Sequence, residues 1–146
     1  MKNIFVAGSL LMVIVLFACN TPKTAASTDN GVITETYWRL TELNGKPIGP
    51  TPPDKKEVYL RLRKNGNIEG FGGCNGFGGH VEIKEGASIS FTNMMGTMMA
   101  CDNLATENKL FEALRETDNY IHNGKRLMLN KGKKAPMARF EADYSK

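Results

Sequence analysis

The chain has 146 residues, with 19 Lys and Arg against 15 Asp and Glu and a formal net charge of +4. That length suits one domain around a single hydrophobic core and leaves no room for a second. The charge is too small and too dispersed for a nucleic-acid surface, so no nucleic-acid partner is expected.

Met1-Lys2-Asn3 leads into residues 4–17, fourteen positions without a charge, in the order of the n-region and h-region of an export signal. As a helix this run would rise ~21 Å. A bilayer core needs ~30 Å, which disfavours a permanent span. Leu16-Phe17-Ala18-Cys19 then resembles the lipobox of bacterial lipoproteins, although Phe17 is bulkier than the usual middle residue. Residues 1–18 are accordingly read as a signal peptide and Cys19 as the lipid attachment site. The competing reading is an ordinary secretory leader cut elsewhere, with Cys19 a bystander. Residues 19–33 form the lipidated cysteine and a flexible tether, since 20–31 contain no aromatic and no aliphatic larger than Ala and cannot bury enough apolar area to order themselves. Asn20 stands where many inner-membrane lipoproteins carry Asp, so the expected location is the bacterial envelope, lipid-anchored in the outer membrane and facing the periplasm.

Residues 34–146 are the folded domain. Tyr37-Trp38-Arg39-Leu40-Thr41-Glu42-Leu43 alternates nearly cleanly and stops at Asn44-Gly45, which reads as a strand closed by a turn. Gly49-Pro50-Thr51-Pro52-Pro53 can sustain neither a helix nor an interior strand. Val58-Tyr59-Leu60-Arg61-Leu62-Arg63 alternates up to Asn65-Gly66, and Ile68-Glu69-Gly70-Phe71 follows as a hairpin partner. Val81-Glu82-Ile83 and Ile89-Ser90-Phe91 keep the period of two on either side of Glu85-Gly86. Leu104, Leu110, Phe111 and Leu114 break that rhythm with helical spacing and predict a helix over 104–117. Tyr120-Ile121-His122, Asn123-Gly124 and Leu127-Met128-Leu129 make another hairpin. Residues 137–142 supply a last strand. Lys125, Arg126, Lys131, Lys133 and Lys134 interleave with this pattern and read as a solvated hairpin. The fold class is mainly β: a small antiparallel β-barrel or sandwich of about eight short strands with one α-helix, too few helices for a parallel sheet.

Three separated motifs carry a family resemblance: Tyr37-Trp38-Arg39-Leu40; the run from Gly70 through Gly73, Cys74 and Asn75 to Gly79; and Thr97-Met98-Met99-Ala100-Cys101 followed by Glu107 and Phe111. In this order they resemble the META domain of HslJ-like bacterial lipoproteins, over nearly all of the mature chain. The resemblance implies a small antiparallel barrel with a helix packed at its side. It also implies an association with heat shock, envelope stress and novobiocin resistance, and no agreed reaction. Its motif positions here are Trp38, Gly73, Cys74, Asn75, Gly79, Thr97, Met99, Cys101, Glu107 and Phe111.

The residues themselves favour structural roles. The glycines of 70–79 allow positive φ, bulges and close backbone approach, and a tight turn is expected there. A phosphate loop would need a Lys-Ser/Thr ending and a following helix, and has neither. Cys74 and His80 could pair as nucleophile and base, but no orienting acid can be singled out, so no catalytic residue is assigned. Cys74, Cys101, His80 and His122 lack the short paired spacings of zinc sites, and no metal or other cofactor is expected. Met94, Met95, Met98, Met99, Met128 and Met137 raise a soft-metal reading, but most are expected in the core. Trp38 is expected to plug the barrel. With Cys19 lipidated and the domain exported, Cys74 and Cys101 are left to form a disulfide; two buried free thiols are the competing arrangement.

The expected function is therefore non-enzymatic: a lipid-anchored envelope protein with a binding or stress role, held to the membrane by its N-terminal lipid and acting on an unidentified envelope protein or small ligand. One alternative is a lipocalin-like carrier, which needs an internal cavity. Another is an inhibitor of an envelope or host hydrolase, for which the rigid stretch 49–54 would be the inserting loop.

Overall fold

The computed structural model describes residues 32–146. The signal peptide, Cys19 and nearly all of the tether lie outside the described residues.

Nine antiparallel strands and one α-helix follow in chain order: β1 (Tyr37–Leu43), β2 (Lys46–Pro47), β3 (Tyr59–Leu62), β4 (Asn67–Phe71), β5 (Gly76–Lys84), a 3-10 turn (Glu85–Ala87), β6 (Ser88–Gly96), α1 (Leu104–Glu116), β7 (Asn119–His122), β8 (Arg126–Asn130) and β9 (Ala138–Asp143). Sequential antiparallel pairing runs from β3 to β9, and β1 pairs with both β3 and β9, which closes the sheet on itself. Closure removes the sheet edges that an open β-sheet would leave unpaired. The remaining strand, β2, pairs with the end of β1 across a two-residue turn. Its turn has Asn44 at φ 49° and Gly45 at φ 75°, the positive-φ pair that the Asn-Gly dipeptide supplies.

Alternation along the strands sets the two faces. Trp38, Leu60, Leu62, Ile89, Leu127, Leu129 and Phe140 point inward and are almost wholly buried, each contributing about 1.5–3 kcal/mol in apolar burial. Trp38 plugs the barrel, its indole Nε1 donating to Ile33 O at 2.8 Å. Residues between them carry charge outward, where Arg39–Glu141 and Arg139–Glu42 pair across β1 and β9. Lys125, Arg126 and residues 131–134 are exposed, in agreement with a solvated hairpin.

β5 and β6 are nine residues each, far longer than the alternating triplets 81–83 and 89–91 that announce them. The added length runs through a register shift between Gly78 and His80 and a positive φ at Asn93, a bulge that erases the simple alternation. The glycine-rich stretch is thereby corrected: only residues 72–75 turn, and Gly76, Gly78 and Gly79 are strand.

The wall has one thin seam. β6 pairs with β7 only at Ser88↔Asn119, and α1 fills the divergence above that pair, sending Leu110, Ala113 and Leu114 into the core. Antiparallel order also fixes the ends. The turns at 63–66 and 85–87 share one end with the start of β1, where the chain arrives from Val32. The turns at 44–45, 72–75 and 97–103 share the other.

Candidate functional site

The far end of the barrel is organised by two buried polar side chains. Asn75 closes the turn after β4, and Glu107 stands in the first turn of α1; they are 1% and 3% exposed. Glu107 Oε2 accepts the backbone N–H groups of Cys74 and Asn75 at 3.2 and 2.6 Å, and its Oε1 accepts from Asn75 Nδ2 at 2.8 Å. Asn75 then reaches the opposite way. Its Oδ1 accepts from Thr97 Oγ1 and from Met99 N, both at 2.8 Å, and its Nδ2 donates to Met99 O at 3.0 Å. All four hydrogen-bonding positions of the Asn75 amide are thus used. A buried network satisfied to this degree specifies one arrangement of the elements it joins, because any other leaves desolvated groups unpaired.

Two glycines make the approach possible. A Cβ on Gly72 would stand 2.6 Å from Glu107 Cγ, and one on Gly73, whose φ is +112°, would stand 2.6 Å from Asn103 Nδ2. The Cys74–Cys101 disulfide, with Cα atoms 5.8 Å apart, ties the same turn to the segment leading into α1.

What this framework holds in place is a loop of methionines. Met98 is 99% exposed, Met95 70% and Met99 62%. With Met94, Leu104 and Phe111 they line an open groove of about 400 Å³ that runs beside α1 towards Arg115. Along the helix Leu104, Asn108, Phe111 and Arg115 recur at i, i+4, i+7 and i+11, so one face lines the groove while Leu110 and Leu114 serve the core. Phe111, which lines the groove, meets Phe77 edge to face at 5.2 Å. The expectation that most methionines are core is corrected: Met94 and Met137 pack against the core, half-buried, whereas Met95, Met98 and Met99 face solvent. Strand and loop backbone at 92–99 points them outward, and no alternating apolar partner covers them.

Of the motif residues, the structure brings Gly73, Cys74, Asn75, Thr97, Met99, Cys101, Glu107 and Phe111 together at this end. Trp38 lies elsewhere, its ring edge-on to His122 at 5.3 Å. Gly79 lies in the β5–β6 bulge, where a Cβ would meet Thr92 O at 2.9 Å. Cys74 and His80 do not meet as a catalytic pair, since Cys74 is in the disulfide and the exposed His80 has Nδ1 3.2 Å from Gly66 O. Sequence reasoning missed Gly72, Asn103, Leu104 and Arg115 as site residues. For Leu104 and Arg115 the signal was present, because they continue the helical stripe of Phe111.

Fold and site together define a class: a small closed antiparallel barrel with one helix set into its seam and an exposed apolar loop pinned at one end. The model of the META domain matches residues 19–144, and the chain belongs to that family. Among solved structures it is similar to an NMR structure at 22% identity and a TM-score of 0.58, covering 73% of this chain and 87% of that one. It is also similar to the NMR structure of a protein from Burkholderia xenovorans at 22% identity and a TM-score of 0.59, covering 77% and 84%. These likenesses show the fold. No curated protein matches the sequence.

Proposed function

We propose that this chain is a lipid-anchored, non-enzymatic binding protein of the bacterial envelope that captures its partner in the methionine-lined groove. The observation that carries the reading is the pairing of opposites at one end of the barrel. A buried, fully hydrogen-bonded network and a disulfide fix the backbone of a segment whose side chains are apolar and exposed. Exposed apolar side chains concentrated in a concave surface mark an interaction site. A lipocalin-like interior is not supported, because Trp38, Leu60, Leu62 and Phe140 fill the barrel.

The anchor is part of the same proposal and draws on the leader and on Leu16-Phe17-Ala18-Cys19. The described chain begins at the end opposite the methionine loop, an arrangement that suits a groove directed away from the outer membrane into the periplasm. Cys19→Ser should abolish lipidation and release the protein from the membrane fraction, because each buried CH₂ of an acyl chain contributes ~0.8 kcal/mol. Unchanged fractionation and unchanged mass would refute it.

The groove is tested with an environment-sensitive apolar dye. The parent chain should enhance its fluorescence and the Met98→Lys, Met99→Lys variant should not, with unchanged circular dichroism. Absence of dye binding to the parent chain counts against the reading. A second reading, a hydrolase inhibitor, keeps one observation in its favour: within residues 49–54 all but the half-buried Thr51 are exposed, and Gly49, Pro50, Thr51 and Pro52 line a neighbouring cleft of about 520 Å³ with Phe71 and Cys101. Inhibition of an envelope hydrolase that Pro52→Gly relieves would support it.

A further inference from the structure

We propose that the methionine loop is a thioether site for a soft monovalent cation, Cu(I) above all, with Met95, Met98 and Met99 as its ligands. This rests on the groove being the binding surface and names the class of ligand it takes. Beyond residue 19 the chain has methionines at 94, 95, 98, 99, 128 and 137, so four of the six fall in the window Met94-Met95-Gly96-Thr97-Met98-Met99. A surface that only had to be apolar would draw on Leu, Ile, Val and Phe as well, and this window contains none of them. All four sulfur side chains line the same groove. Three are well exposed, while Met94 is half-buried against the core and serves as the wall behind them.

Within the window 94–99 the one oxygen-bearing side chain is Thr97, whose hydroxyl donates to Asn75 Oδ1, and Asp102 does not line the groove. Among the described residues no three His, Cys, Asp or Glu side chains gather as a metal set. Glu107, which also lines the groove, has its oxygens committed to three N–H groups. The sulfurs of Cys74 and Cys101 are joined to each other and are not thiolates. Beside the four methionines the groove's remaining neutral polar side chain is the Asn108 amide, so its soft donors are thioethers. Neutral soft ligands of this kind favour Cu(I) and disfavour Mg²⁺, Ca²⁺ and Mn²⁺, which demand oxygen, and Zn²⁺, which takes thiolate or imidazole.

The framework also suits ligation. Unbranched methionine side chains with three rotatable bonds adapt their sulfur positions by rotamer changes, and these line one groove. The backbone between them is already held, since Asn75 fastens Thr97 and Met99. Binding a cation therefore orders side chains and not a loop, which lowers its entropic cost. The groove's cationic residue, Arg115, lies eleven residues along α1 from Leu104, or ~16 Å from the end at which the loop joins the helix.

The test uses the chain purified from membranes in detergent, with any free thiol capped by N-ethylmaleimide so that Cys19 cannot contribute. Cu(I) is titrated anaerobically against the chromophoric competitor bicinchoninate. Ag(I), a redox-inert probe of the same softness, is followed through the ¹³C resonances of the methionine ε-methyl groups. The variant M95L/M98L/M99L keeps the groove apolar and removes three thioethers. A single Cu(I) taken by the parent chain, binding lost in the variant, and Ag(I)-dependent shifts of those three methyls are the expected results. A parent chain that takes no Cu(I) from the competitor, or a variant that still does, overturns the proposal. Dye binding by both chains separates the two readings: if it persists while Cu(I) binds neither, the metal site alone falls, and if Cu(I) binds without any dye binding, apolar capture alone falls.

Discussion

Asn75 and Glu107 show how one side-chain pair can set the geometry of three segments. Truncating Asn75→Ala would strand Glu107 Oε1, Thr97 Oγ1 and both backbone groups of Met99 that it now partners. Of these partners Glu107 is buried, and an unsatisfied buried polar group costs about 1–3 kcal/mol, so a loss on that scale is expected in urea denaturation, and dye binding at the groove should fall with it. The glycines sort by what a side chain would meet. Gly73→Val combines a positive φ with a Cβ 2.6 Å from Asn103, whereas a Cβ on Gly76 would meet Gly70 O at an ordinary 3.9 Å. Gly73→Val should therefore cost more than ~1 kcal/mol, and Gly76→Ala should stay within ~0.5 kcal/mol. Equal melting temperatures for the two variants would show that the turn does not need its glycine.

At the level of elements, the disulfide and the β6–β7 seam are the joints that matter. Closing the 27-residue separation between Cys74 and Cys101 restricts the unfolded chain by ~3–4 kcal/mol in the loop-entropy account. Cys74→Ala with Cys101→Ala should lower the denaturation midpoint by a corresponding amount while leaving the barrel's circular dichroism intact, since no strand depends on the bond. The seam is held beside Ser88↔Asn119 by Asp118. Its Oδ1 accepts from Gly132 N at 2.8 Å and from Asn119 Nδ2 at 2.7 Å, and its carbonyl accepts from Ile89 N. The Gly132 backbone bond, and after it the Asn119 side chain, hold the Asp118 carboxyl below the ordinary aspartate value of 3.8. A folded-state pKa that is depressed contributes stability above the unfolded value and loses it as pH falls through the folded one. Unfolding free energy should accordingly decline below about pH 4, and Asp118→Asn should flatten that part of the acid limb in a pH series of melts. An unchanged acid limb in the variant would remove Asp118 from the account.

For the whole molecule, closure is the property on which the rest depends. β9 seals the barrel against β1 over six register pairs from Tyr37↔Asp143 to Leu43↔Ala138, and it contributes the fully buried Phe140. A chain ending at residue 136 would expose both the core and two strand edges. It should show no cooperative melt and no dispersed amide spectrum. The same closure separates the two ends of the barrel, with the arriving chain and Trp38's partner Ile33 at one and the methionine loop at the other.

Local chemistry determined much of this. Strict alternation in residues 58–63, the Asn-Gly and Gly-containing turns, and the i, i+4 apolar spacing of 104–117 place β3, two hairpins and α1 within a residue or two, because each is a short-range preference that its own residues satisfy. The pairing of Cys74 with Cys101 followed from counting cysteines under the expectation of export. The tertiary structure alone decided what met water where local periodicity is silent. Strands β5 and β6 outrun their apolar triplets because a bulge and a neighbouring strand, not their own periodicity, sustain them. Met95, Met98 and Met99, residues of a set read mostly as core, are exposed at a groove because burial depends on what the rest of the fold brings opposite a side chain. Glu107, a motif position without an assigned role in the sequence, became the buried keystone of the site only when the fold set it over the backbone N–H groups of Cys74 and Asn75, thirty-three and thirty-two residues away in the chain.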